Sequence, residues 1–377
     1  MKTRHFSPVS LFYYFLIIAA LVLAAIVVTR PIVTHASTKQ DINSQDPTVN
    51  PTPVLAYYYI WYNTSSWNRA KTDLPLLGAY SSDDLAVMRQ HIQEAKAAGI
   101  TGFIVSWKST DVLNRRLEQL ANLAAQEDFK LAIIYQGLDF YRDPLPVTQV
   151  ANDFDYFIQH YSGMPAFQLF SKPMVIWSGT WKFSTQDIEQ VTMSRRSSLL
   201  ILASERNTDG YTRLINLVDG DAYYWSSVNP DTFPNYQEKL NQMSEVVHVN
   251  KGLWIAPAAP GFDARLVGGT SVVERNDGAT FRTEINTAMA SSPDALGIIS
   301  WNEFSENSQI EPSLNYGNQY LNIISQINQM PSPNVIEFDS SIPNHIFPEL
   351  VPGSRLVALG GLLGLILLSI VLIILRK

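Results

Sequence analysis

The chain has 377 residues, 46% of them hydrophobic and 16% charged, with a formal net charge of −7 and no cysteine. So apolar a composition excludes a disordered chain, and the lack of cysteine excludes a disulfide framework, thiol catalysis and thiolate-held zinc or iron–sulfur centres. All six charged residues outside positions 31–352 are basic, which leaves 21 basic against 34 acidic residues within that span, a net charge of −13; such a body argues against nucleic acid or an anionic lipid surface as a partner.

Residues 1–36 open with Lys2, Arg4 and His5, followed by the uncharged run Leu11–Val28 and the small-residue stretch Thr34-His35-Ala36-Ser37. This pattern reads as a secretory signal cleaved after Ala36 or as an uncleaved anchor. Residues 37–53, rich in Ser, Thr, Asn, Asp and Pro, read as a flexible linker. At the other end, residues 331–354 carry five prolines and form a second spacer. The uncharged run Leu356–Leu375, closed by Arg376-Lys377, reads as a C-terminal transmembrane helix with its basic end in the cytoplasm. The expected arrangement is one transmembrane helix at each end, with the protein at the cell membrane and its body extracytoplasmic.

Between the spacers, residues 54–330 alternate short β-rich runs with amphipathic helical stretches. Strands are predicted at Val54–Ile60, Thr101–Ser106, Lys130–Tyr135, Pro173–Trp177, Leu199–Ala203, Asp221–Trp225, Gly252–Ala256 and Ala295–Ser300. Helices are predicted over Asp83–Ala98 and Asp111–Glu127, then around 147–161, 185–195, 209–217, 235–247, 279–290 and 315–328. Eight such units in one domain predict an α/β fold, the (β/α)8 TIM barrel. The alternative, an open doubly wound sheet, normally has a glycine-rich phosphate loop after its first strand. Here that strand runs into YYYIWYNTSSW, which has no glycine.

In such barrels the active site lies where strands end and the next loops begin. Six of the eight predicted strand ends carry aromatic residues, among them Trp61, Tyr62, Trp107, Trp177 and Trp225. Aromatic faces beside amides and carboxylates suit sugar binding, so these five are predicted to bind substrate. The last strand leads into WNEFSENSQIEP, Trp301–Pro312, where Glu303 and Glu306 stand three apart. Glycosidic cleavage needs two carboxyl groups, one to protonate the leaving oxygen and one to act as base or nucleophile. Glu303 and Glu306 are therefore the predicted catalytic pair, with Glu205 and Asp263 as weaker candidates. The six histidines show no ligand spacing, so neither a metal nor another cofactor is expected.

This stretch resembles glycoside hydrolase family 99, the endo-α-mannosidase type, and more distantly the family 71 α-1,3-glucanases. Asn302, Glu303, Glu306, Gln309, Ile310 and Glu311 match the family 99 run Asn-Glu-Trp-His-Glu-Gly-Thr-Gln-Ile-Glu. YYYIWY (Tyr57–Tyr62), PGFDAR (Pro260–Arg265) and RNDGATFR (Arg275–Arg282) extend the likeness along the body. The resemblance implies a glycoside hydrolase of α-linked glycans, with Glu306 as general acid/base and Glu303 as the base that recruits the neighbouring 2-hydroxyl, or directly as the second carboxylate. Asn302, Gln309 and Glu311 join the expected substrate-binding set. Phe304, Ser305 and Asn307 depart from the family 99 pattern, and Phe304 fits that of family 71. An α-mannan-type substrate is expected, with an α-1,3-glucanase and a non-catalytic glycan-binding surface protein as alternatives.

Overall fold

The computed structural model describes residues 51–327. The predicted spans at 11–28 and 356–375, the spacer 331–354 and most of the linker 37–53 lie outside the described residues. Among those described, no helix is long and apolar enough to cross a membrane.

Eight strands form a closed parallel barrel in chain order. They are β1 (Val54–Tyr59), β2 (Gly102–Trp107), β3 (Lys130–Gln136), β4 (Met174–Ser178), β5 (Leu200–Ala203), β6 (Gly220–Ala222), β7 (Leu253–Ala258) and β8 (Ala295–Ile298). The barrel closes where β1 pairs with β8, Leu55 opposite Gly297 and Ala56 opposite Ile298. Helices α1 (Leu85–Ala97), α2 (Asp111–Gln126), α3 (Val147–His160), α4 (Thr185–Thr192), α5 (Thr208–Thr212), α6 (Tyr236–Val249), α7 (Ala279–Ala290) and α8 (Gln319–Ile327) complete the units. Asp84 caps α1 by accepting from the amides of Ala86 and Val87, and Thr110 caps α2 by accepting from Leu113, as their non-helical backbone and short oxygen-bearing side chains allow.

Strand geometry sends alternate side chains to opposite faces, and this divides the core in two. Leu55, Tyr57, Ile104, Ala132, Ile134, Ile176, Leu202, Ala222 and Ile255 fill the barrel interior. Ala56, Tyr58, Phe103, Val105, Trp107, Tyr135, Val175, Trp177 and Trp254 pack outward against the helices. Arg116 of α2, itself buried, donates to the Ile60 carbonyl (2.9 Å) and pairs with Asp83 (2.6 Å), so it ties the end of β1 to the helical layer. The bonds from Arg116 and then from Arg115 (2.7 Å) hold the Asp83 carboxyl well below the usual carboxylate range.

Strand six is shorter than predicted. Tyr223 keeps one bond to β7, its amide donating to the Ile255 carbonyl (3.3 Å), and Tyr224 and Trp225 run into the loop above.

Candidate active site

The loop from Ser300 to Glu311, at the C-terminal end of β8, is folded back on itself. The Ser300 amide donates to the Ser308 carbonyl (2.8 Å), Ile310 to Ser300 (2.9 Å) and Glu311 to Trp301 (2.8 Å). The loop is also clamped from outside. The Asp263 amide donates to the Glu306 carbonyl (2.7 Å), and Arg275 Nη2 donates to the carbonyls of Asn307 (3.0 Å) and Gln309 (2.9 Å). Arg275 is buried between Tyr316 and Tyr320, at 4.3 and 4.6 Å from their ring centroids, which stabilises the guanidinium without a carboxylate. Phe304 is wholly buried against Trp67 and anchors the turn from within.

The turn brings Glu303 and Glu306 into one electrostatic environment. The Ser300 hydroxyl accepts from the Glu303 amide (2.8 Å), and the Ser305 amide donates to Glu303 Oε1 (2.9 Å). Burial, and then the nearby Glu306 carboxylate, push Glu303 up from the ordinary 4.5 to about 7. Glu306 is more open and is raised by its partial burial, against the opposing pull of Arg142. A buried carboxyl pushed up to about 7, with a second raised carboxyl acting on it, is what acid–base chemistry at a glycosidic bond needs.

Two tyrosines complete the group. Tyr59, the last residue of β1, and Tyr224, just beyond β6, share a hydrogen bond through their hydroxyls. Burial raises both well above the usual tyrosine value, and both carboxylates reinforce the rise, so both phenols keep their protons. Neither tyrosine was predicted as a site residue. Both continue the inward alternation of their strands, Leu55-Tyr57-Tyr59 and Ala222-Tyr224, and that parity was the available signal.

The same parity corrects several predictions. Trp107 and Trp177 end their strands in the outward register and are wholly buried beneath the helices. Trp107 Nε1 donates to Asn114 Oδ1 of α2 (3.0 Å), and Trp177 packs on Phe154 and Phe183. Both belong to the core and line no mouth. Tyr62 is buried too, stacked on Trp67 and donating to the Asn302 carbonyl (2.7 Å). Trp61 stands out at 43% exposure, stacked on Tyr59. Trp225 is partly exposed, and the Arg206 guanidinium lies between its ring and that of Trp181.

Asn302, Gln309 and Glu311, expected to touch substrate, are buried supports of the loop. Asn302 Oδ1 accepts from the Tyr59 amide (2.8 Å) while its Nδ2 donates to the Tyr59 carbonyl (3.0 Å). Glu311 lies 3.1 Å from His91 Nε2 of α1 and accepts from the Tyr80 hydroxyl (2.8 Å). Gln309 donates to Asp73 Oδ2 (3.2 Å). The weaker candidates are also tied down. Asp263 is held by Arg265 (2.7 Å), and Glu205 is buried and held by Arg213 (2.8 Å). Among the described residues, no three His, Asp or Glu side chains converge as metal ligands.

A family model described as glycosyl hydrolase family 99 matches residues 63–325. The chain is 23% identical over 261 residues to a glycoprotein endo-alpha-1,2-mannosidase of Rattus norvegicus, covering 64% of this chain and 56% of that protein. The Xenopus laevis protein of the same name is 22% identical over 272 residues, covering 64% and 58%. The chain thus spans little more than half the length of these curated relatives. The solved GH99 endo-alpha-mannosidase of Bacteroides thetaiotaomicron, in complex with bis-tris-propane, superposes with a TM-score of 0.67 at 20% identity. That match covers 75% of this chain and 98% of the other. A structure described as a glycoside hydrolase-like protein gives 0.56 at 17% identity, covering 76% and 97%. At these identities the structural likeness is one of fold.

Proposed function

The chain belongs to glycosyl hydrolase family 99, and on that premise we propose that it is a glycoside hydrolase acting within α-mannan-type glycans. The observation that carries the reading is the carboxyl pair Glu303 and Glu306. Both lie in the loop after β8, Glu303 pushed up to about 7 and Glu306 raised in the same direction, close to the hydrogen-bonded phenols of Tyr59 and Tyr224. In this reading Glu306 gives its proton to the leaving glycosidic oxygen. Glu303 takes the proton of the 2-hydroxyl as that oxygen attacks the anomeric carbon from behind and the glycosidic bond breaks. Water then opens the resulting 1,2-epoxide as Glu306 removes its proton and Glu303 returns one to the 2-oxygen, so the anomer is retained. In an α-mannoside the 2-hydroxyl and the leaving group are both axial and anti, which such a displacement requires. In an α-glucoside the 2-hydroxyl is equatorial and gauche.

The test is to digest α-mannan and α-1,3-glucan side by side with the full-length protein, following the released anomer by NMR, and to repeat the digest with Glu303→Gln and Glu306→Gln. The expected result is cleavage of mannan with retention, and a loss of at least ~100-fold in turnover for each variant. Cleavage of the glucan alone, or inversion, overturns the epoxide route. Binding without cleavage favours a glycan-binding surface protein. The α-1,3-glucanase reading is supported by Phe304, which fits the family 71 pattern.

We propose further that the body is tethered outside the cytoplasm at the cell membrane. This rests on the uncharged runs 11–28 and 356–375 and their basic flanks. Protease treatment of intact cells should digest residues 54–330 and spare a C-terminal tag. A body cut only after permeabilisation overturns the orientation.

A further inference from the structure

The long loop between β1 and α1 carries one lysine, Lys71, and lays it beside the carboxyl pair. Lys71 is half-buried, with Nζ 3.4 Å from the Ser305 hydroxyl and 5.7 Å from the Trp67 ring centroid. Ser305 in turn faces Glu303 with both its amide and its hydroxyl. The placement does not depend on the lysine's own flexible stem alone. The next two residues are laced to the far side of the catalytic loop. The Thr72 carbonyl accepts from Asn315 Nδ2 (2.9 Å), and the buried Asp73 carboxylate accepts from the Asn315 amide (3.0 Å) and from Gln309 (3.2 Å). The Leu314 amide donates to the Leu74 carbonyl (2.9 Å) and that of Leu76 to Pro312 (2.9 Å). A cation so held, with a serine between it and the acid, has a defined electrostatic target.

We propose that Lys71 is a positioning residue for Glu303, supplying through Ser305 the positive charge that holds this carboxyl in its ionised, base-competent form. The proposal deepens the proposed function, since it rests on the reading of Glu303 as the base. The groups facing Glu303 are Glu306 and Ser305 of its own loop, Tyr59 of β1, Tyr62 just after it, Tyr224 beyond β6, and Lys71. Of these, Lys71 alone carries a positive charge. Of the others, Glu306 repels a carboxylate, Ser305 donates to it, and the tyrosines are neutral phenols. Burial works against the ammonium and Glu303 works for it, so the two charges support one another in a site that otherwise disfavours both.

The experiment is a carboxyl ¹³C NMR titration of Glu303 in the full-length protein, its signal identified by its loss in Glu303→Gln. Parent, Lys71→Met, Lys71→Gln, Lys71→Arg and Ser305→Ala are compared. Removing the charge should raise the midpoint by about one pH unit. Arginine should leave it near the parent value, and Ser305→Ala should raise it by a smaller amount. Superimposable curves for the parent and the two neutral variants would overturn the proposal. So would a shift in Lys71→Arg as large as in Lys71→Met, because the charge would then not be the active element. The titration needs no glycan, so a failure to cleave mannan leaves this result standing. Conversely, an unmoved midpoint leaves the carboxylate pair intact. Where cleavage is measured, the acid limb of kcat/KM should move with the midpoint.

Discussion

Glu303→Gln should make the protein more stable above neutral pH while abolishing turnover. The folded state raises this carboxyl from 4.5 to about 7, so between those values the native protein holds a proton that the unfolded chain has released. Stability therefore falls as pH rises through that window, and the cost is complete above about pH 7. A rise of this size corresponds to about 3 kcal/mol at 1.36 kcal/mol per pH unit. Part of the rise is repulsion from Glu306, so the gain on neutralisation belongs to the pair. Glutamine keeps the shape and still accepts from the Ser305 amide, but it has no charge to bury. The variant and the parent should thus melt together below about pH 4.5. At pH 8 the variant should melt higher by about 6–10 °C, as expected for a domain of this size. The assay is scanning calorimetry at a fixed rate across that range. A stability difference that is the same at every pH would refute the reasoning, since repacking, not proton linkage, would then be its source. No gain at pH 8 would do the same.

Four further substitutions test the packing. Trp107→Ala should cost about 3–5 kcal/mol in urea unfolding, as other buried aromatic truncations do. KM should stay unchanged in the folded fraction, whereas Trp61→Ala should raise KM and leave the melting temperature alone. Asn302→Ala orphans the amide and carbonyl of Tyr59, each worth about 1–3 kcal/mol when buried without a partner, and should lower both stability and turnover. Gly137→Ala would place a methyl 2.4 Å from Trp177 Nε1 and 2.5 Å from the Ser178 carbonyl. It should lower the urea midpoint by the equivalent of about 1–3 kcal/mol, and an unchanged midpoint would show that the loop above β3 yields freely.

The barrel was legible because each βα unit has its own local signals. Asp84 and Thr110 announce α1 and α2, and the strands are short β-rich runs. The carboxyl pair was legible because it sits within one contiguous turn. The rest of the site was not, since it is assembled by alternation and by distant loops. Trp107 and Trp177 look like mouth residues by position, but counting in twos from Phe103 and Val175 sends them outward. The same count sends Tyr59 and Tyr224 inward. No count in the sequence brings Lys71 to Ser305 or Arg142 toward Glu306; only the folded loops do. Likewise Asn302, Gln309 and Glu311 match a motif, and a motif records that a residue is needed without distinguishing a ligand contact from a brace.

The grip of Asn302 on Tyr59 joins residues 243 positions apart in the chain, and the Tyr80 to Glu311 bond spans 231. A growing polypeptide therefore holds no assembled site until nearly the whole body has left the ribosome. Contacts of such separation form late and slowly, because the entropy of closing the intervening loop must be overcome first. A chain interrupted just after β8, at residue 299, would carry all eight strands and lack the loop that holds Glu303 and Glu306. The candidate site is consequently put together only when the two ends of the barrel meet.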